Sequence, residues 1–144
     1  MVAVARGRAG PWVLVGALAM LHGCGLFRTG DSATDIKVER QGSGYTFSFG
    51  ICGDRWQQVG ASAIDVIKLS SNETVCQISL SKPATLVSTW SYGAVPPGYA
   101  GEQCAALEAG EGYEVRASAG LGGVQKFSLE RDGSVRLGKG MCNR

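Results

Sequence analysis

The chain has 144 residues, 44% of them hydrophobic, with 14 Lys and Arg against 12 Asp and Glu. The near balance of charge, with no cluster of basic residues, argues against nucleic acid as a partner. One histidine and 5 cysteines set the remaining chemical limits.

Residues 1–10 carry Arg6 and Arg8 and no acid, and residues 11–21, PWVLVGALAML, are apolar without a charge. A positive start, an apolar run of about 7–15 residues and small residues at a cut site describe a secretory signal peptide. A membrane-spanning helix needs about 20 apolar residues, and this run falls short. Leu21, His22 and Gly23, which precede Cys24, resemble the lipobox read by the bacterial lipoprotein pathway. Leu21 and Gly23 match its first and third positions, while His22 departs from the small or hydroxyl side chain usual between them. The resemblance implies that residues 1–23 are a lipoprotein signal peptide and that Cys24 carries a diacylglycerol thioether and, usually, an acylated amine. Two or more acyl chains hold a protein to a membrane stably. The competing reading makes Cys24 the last residue of an ordinary signal peptide. Gly25 follows where enteric-type bacteria place an Asp to retain lipoproteins at the inner membrane. The expected localisation is therefore the cell envelope, at the outer membrane, facing the periplasm or the cell surface.

A cut before Cys24 removes Arg6 and Arg8 and leaves 12 basic against 12 acidic residues. It also removes His22, the only histidine. Without an imidazole the mature chain cannot run Ser-His or Cys-His nucleophilic catalysis, and it lacks the commonest zinc ligand. The chain is expected to be no enzyme, to hold no metal and to need no cofactor. With Cys24 spent on lipid, Cys52, Cys76, Cys104 and Cys142 remain, separated by 24, 28 and 38 residues. An even number in an oxidising compartment reads as two disulfides, and three connectivities are open.

Residues 24–44 are read as the lipid anchor and a polar tether, with a short strand around Ile36–Val38, and residues 45–144 as the domain. In YTFSFGI, Tyr45, Phe47, Phe49 and Ile51 alternate with small or polar residues, as a half-buried strand requires. In ASAIDVIKLS the apolar phase slips between Val66 and Ile67, which predicts a bulge or burial on both faces. SSNE supplies a turn; TVCQISL and ATLVSTWSY follow, with Leu86, Trp90 and Tyr92 in phase. YEVRASA alternates again, GLGG at 120–123 is a turn between two strands, and Asp132-Gly133 marks a hairpin in KFSLERDGSVRLG. About seven short strands without a long amphipathic helix predict an all-β fold, a small antiparallel β-sandwich.

The stretch LEAGEGYEVRASA, with Leu107, Gly110, Tyr113 and Val115, resembles the E–F corner of immunoglobulin-like and fibronectin type III sandwiches. The resemblance implies an immunoglobulin-like sandwich in which the Tyr113 hydroxyl bonds back to the turn. Trp90 stands closer to this tyrosine than the core tryptophan of fibronectin-type domains does. The resemblance also implies first and last strands running parallel at one edge, which would bring Cys52 to Cys142 and leave Cys76 to Cys104.

Three groups are candidates for chemistry. WSYGAVPPGY could present Trp90, Tyr92 and Tyr99 for stacking on a ligand, against a reading in which Trp90 packs the core. GDRWQQ could place Asp54, Arg55 and Trp56 at a polar corner, against an ordinary turn. Glu102, Glu108, Glu111 and Glu114 could supply a carboxylate pair, against solvated surface charge. Together these lead to a lipid-anchored envelope protein acting as a non-enzymatic binding or structural module, its partners the membrane and another envelope protein. The alternatives are a small carboxylate-based glycan-acting hydrolase and a glycan- or peptide-binding module using exposed aromatics.

Overall fold

A computed structural model of the protein describes residues 34–52 and 55–140. The segment expected to be a signal peptide, Cys24 and the first residues of the expected tether, together with Asp54 and Cys142, lie outside the described residues.

The described chain is all-β, two antiparallel sheets packed face to face. In the first sheet β1 (Thr34–Gln41) and β2 (Gly44–Ile51) form a hairpin with unbroken register from Thr34↔Ile51 to Gln41↔Gly44. Its tight connection begins with Gly42 at φ 62°, a conformation that costs glycine little. The other edge of β2 is shared by β3 (Gln57–Gln58) and β6 (Thr89–Ser91). The second sheet contains β4 (Ala61–Lys68), β5 (Glu73–Leu80), β7 (Tyr99–Gly101), β8 (Gly112–Ala119), β9 (Gly123–Leu129) and β10 (Val135–Leu137). Their spatial order is β10-β9-β8-β4-β5-β7.

Period-two patterning accounts for the core. Phe47 and Phe49 of β2 are fully buried, as are Val115 of β8 and Ile64 and Val66 of β4. Phe47 sits among the rings of Trp90 and Phe127, at centroid distances of 5.3 and 5.7 Å, and Phe127 stacks on Tyr113 at 5.5 Å. These inward aromatics come from both sheets, so one cluster holds the layers together. The expected phase slip is a register shift between Val66 and Ile67, both buried. Asn72 takes φ 55° in the turn after β4, and Gly133 takes φ 79° in the hairpin that pairs Leu129 with Val135. At the tyrosine corner the Tyr113 hydroxyl accepts the Glu108 backbone N–H at 2.8 Å.

Several expectations are corrected. The described residues form ten strands, not about seven, because β3 and β7 add to those anticipated and the short strand around Ile36–Val38 is the full-length β1. The tether reading of 34–44 fails: Ile36 and Val38 are 1% and 3% exposed inside β1, so the domain begins by Thr34. The alternation Thr34, Ile36, Val38 was diluted by the charged outward residues Asp35, Lys37 and Glu39. Leu86 does not share the phase of Trp90; it is 43% exposed, in the segment before β6. Among the described residues β10 pairs with β9 alone, so the first and last strands meet across the two sheets rather than within one. Yet β2 and β10 run in one direction in facing sheets. Thr34 bonds to Gly122 at one end, and Arg40 bonds to Asp132 at the other.

The sheets are also joined by hydrogen bonds along one edge. The Phe49 N–H donates to Ser88, and the Ala61 N–H donates to Val87 at 2.9 Å. The Tyr99 hydroxyl, from β7, donates to the Ala61 carbonyl and accepts the Val87 N–H. Replacing this hydroxyl by hydrogen leaves a backbone donor and a backbone acceptor short of a partner. Tyr99→Phe is therefore expected to cost about 1–3 kcal/mol in urea unfolding with an unchanged m-value. A loss within error of zero would mean that water replaces the hydroxyl there.

Candidate functional site

The outward face of the six-stranded sheet carries an open groove of about 530 Å³. Its floor is low because Ala63 of β4 and Ser118 of β8 are small. Asp65, Arg116 and Val124 lie abreast on β4, β8 and β9, as the register Asp65↔Arg116 and Arg116↔Val124 dictates. The β8–β9 turn rises beside them, with Gly120 at φ 57° and Gly122 at φ 91°. Gly123 is required by close approach, since a Cβ there would stand 2.6 Å from the Thr34 carbonyl oxygen of β1. The turn is thus seated on the start of β1 and lifts Leu121 clear. Leu121 is 77% exposed and Val124 47%.

One end of the groove is apolar and the other polar. Asp65 accepts from the Gln77 amide at 2.8 Å, and Arg116 donates to Glu114 at 2.7 Å. Lys126 stands 3.9 Å from the other Glu114 oxygen. A shallow, open surface of this kind suits a flat or extended partner better than a small molecule, which binds where most of its surface is enclosed.

The aromatics do not gather on a surface. Trp90 is 1% exposed, its indole N–H donating to Ala94 at 2.8 Å, and Tyr99 is 7% exposed in the seam between sheets. Both are interior, Trp90 in the core as its alternative reading had it. Tyr92 is half-buried, its ring 6.2 Å from that of Phe47 and its hydroxyl donating to Ala105 at 2.7 Å. The prolines and glycines of residues 90–99 turn this connection inward, with the Tyr99 N–H bonded to Pro96 and Gly98 at φ 84°. Trp56 lies apart, half-buried on the outward face of the first sheet, where a Cβ on Gly50 would be 2.4 Å from its ring. The Lys37 ammonium sits 4.0 Å from the ring centroid. Arg55 is exposed.

The acidic set is distributed over ion pairs. Glu108 and Glu111 both face Lys68, at 2.9 and 3.7 Å, and Ser70 donates to Glu111. The hydrogen bond to Glu108 holds the Lys68 ammonium above the usual lysine range. Glu114 serves Arg116 and Lys126, and Glu102 is exposed. Each of the three paired carboxylates faces a cation.

Cys76 and Cys104 form a disulfide with Cα atoms 4.4 Å apart, tying β5 to the segment after β7. Cys52 is also disulfide-bonded. The expected Cys52–Cys142 pairing and the lipid site at Cys24 lie outside the described residues.

Reasoning from sequence missed the groove. Its residues occupy the outward positions of alternating strands, which look like ordinary solvent-facing residues until the sheet order places them side by side. The one local signal was a leucine in the glycine turn GLGG. No protein family, characterised protein or solved structure matches the chain.

Burial pushes the Tyr92 hydroxyl up to about 12, with Tyr113 adding to the shift. Between the ordinary tyrosine value of 10.0 and about 12 the unfolded chain loses this proton while the folded chain keeps it. The contribution to stability is complete below the lower value and is lost as pH rises through the upper one. Chemical unfolding followed from pH 9 to 12 is expected to show stability falling over this window, and Tyr92→Phe is expected to make the fall shallower. Identical slopes would contradict the assignment.

Proposed function

We propose that the protein is a lipoprotein of the bacterial cell envelope, anchored through Cys24, whose sandwich is a non-enzymatic binding or structural module that docks another envelope protein. The observation that carries the binding half is the open groove beside Asp65 and Arg116, walled by the exposed Leu121 and Val124. Apolar side chains flanked by a carboxylate and a guanidinium are common at protein interaction surfaces, where arginine is enriched. The export signal and the lipobox resemblance support the anchored half.

The cysteines support the same reading by elimination. Cys76 and Cys104 are joined to each other, and Cys52 is disulfide-bonded. Within the chain, Cys24 and Cys142 are the candidates left to partner Cys52. A lipid-bearing Cys24 leaves Cys142. Gly140, near the end of the described chain, fits this pairing: a Cβ there would lie 3.0 Å from Asp35, whose register partner is Gly50 of β2.

Peptide mapping under non-reducing conditions is expected to return Cys76–Cys104 and Cys52–Cys142, with diacylglycerol on Cys24. A Cys24–Cys52 peptide would refute the anchor. Cys24→Ser is expected to abolish palmitate incorporation and leave the signal segment uncut. For the partner, amine-directed crosslinking in intact envelopes through Lys126, beside the groove, is expected to trap a second protein. Val124→Asp should reduce that product about tenfold, by placing a charge at an apolar contact. Monomer alone from the unaltered chain would overturn the docking reading.

A further inference from the structure

We infer that the end of the sandwich where Thr34 enters is itself a membrane-docking surface, fitted to anionic lipid headgroups with Leu121 foremost. The inference rests on anchoring at Cys24.

Thr34 is pinned at that end: its N–H donates to Gly122 at 3.3 Å, and its hydroxyl donates to Ala119. Nine residues, 25–33, separate it from Cys24. Fully extended they span about 32 Å, so an anchored chain keeps the β8–β9 turn close to the lipid surface. At that turn Leu121 is 77% exposed, a side chain with no role in the core.

The charges divide in the same sense. Arg55, Lys82 and Lys139 are exposed at or near this end and take part in no ion pair among the described residues. Lys82 follows β5, its N–H bonded to Gly98, and Lys139 precedes Gly140, which adjoins Asp35. By contrast Lys68, Arg116, Lys126 and Arg136 each face a glutamate. The opposite end presents Glu108, Glu111, Glu130 and Asp132 in its turns, with Arg131 between two of them in sequence and Arg40 bonded to the Asp132 carbonyl. An anionic surface therefore meets unpaired cations at the Thr34 end and acid-rich turns at the other. Unpaired basic residues beside an acyl anchor supply a second binding signal of the kind that strengthens membrane attachment.

The test uses the lipidated mature chain reconstituted into vesicles containing phosphatidylglycerol or into vesicles of phosphatidylcholine alone. Amine acylation is read lysine by lysine by mass spectrometry. Lys82 and Lys139 are expected to react several-fold more slowly on the anionic vesicles, with Lys68 unchanged. Leu121→Asp, a change at an exposed position, should restore both rates, and Lys82→Glu should restore that of Lys139. Equal rates on the two vesicle types, with acyl chains present on Cys24, would overturn this inference alone. A spectrum without acyl chains would overturn the anchoring reading and this inference with it.

Discussion

The hydrogen-bonded seam between the two sheets is the constraint on which the other features of this fold depend. Phe49 in β2 bonds to Ser88, Val87 bonds to Ala61 at the start of β4, and the Tyr99 hydroxyl closes the set onto both Val87 and Ala61. A sandwich of short strands has crossings where the backbone leaves one sheet before it has joined the other. Its polar groups there are lost to water and not yet claimed by a ladder, and an unpaired buried group costs about as much as a hydrogen bond contributes. Here the two crossings, 57–61 and 81–88, meet and satisfy each other. One phenol supplies the donor and the acceptor that the backbone alone lacks.

With the seam fixed, β4 is held in register beside β8, and the outward face of the second sheet acquires its shape. The groove exists because Ala63 and Ser118 fall on the same face at the same level, a consequence of where Ala61 is pinned. The contact of Thr34 with Gly122 and Gly123 does the equivalent work at the other edge and holds Leu121 outward. Neither surface feature is built by its own residues. Both are positioned by backbone contacts made on the far side of the sheet, so substitutions at Leu121 or Val124 can test recognition without disturbing the core.

How much of this was legible in the sequence follows from the range of each signal. Period two is local, and it marked β2, β8 and the Asp132-Gly133 hairpin well, down to the slip at Val66 and Ile67. It failed for β3 and β7, because two or three residues carry no period. For β1 it showed only the middle, Ile36–Val38, because outward charges masked the rest of the strand. Tyr99 shows the deeper limit. In sequence it stands in a proline-glycine loop and reads as a surface aromatic. Its role is set by Ala61 and Val87, 38 and 12 residues away. The groove was illegible for the same reason, since sheet order brings β4, β8 and β9 together from separate parts of the chain.

The cysteines show the two ranges acting together. Spacing alone left three connectivities open, and the pairing the resemblance implied for the inner two cysteines is the one found. The Cys76–Cys104 bridge forms because β7 pairs with β5 and brings the segment after it alongside. The bridge lies where the second sheet is thinnest: β7 pairs with β5 over three residues. A ladder that short cannot hold an edge by backbone hydrogen bonds, and a covalent link removes much of the entropy of releasing it. The Tyr99 hydroxyl is delivered to the seam by this same edge. The disulfide and the phenol therefore belong to one mechanism: the link holds the edge strand in place, and the edge strand holds the sheets together.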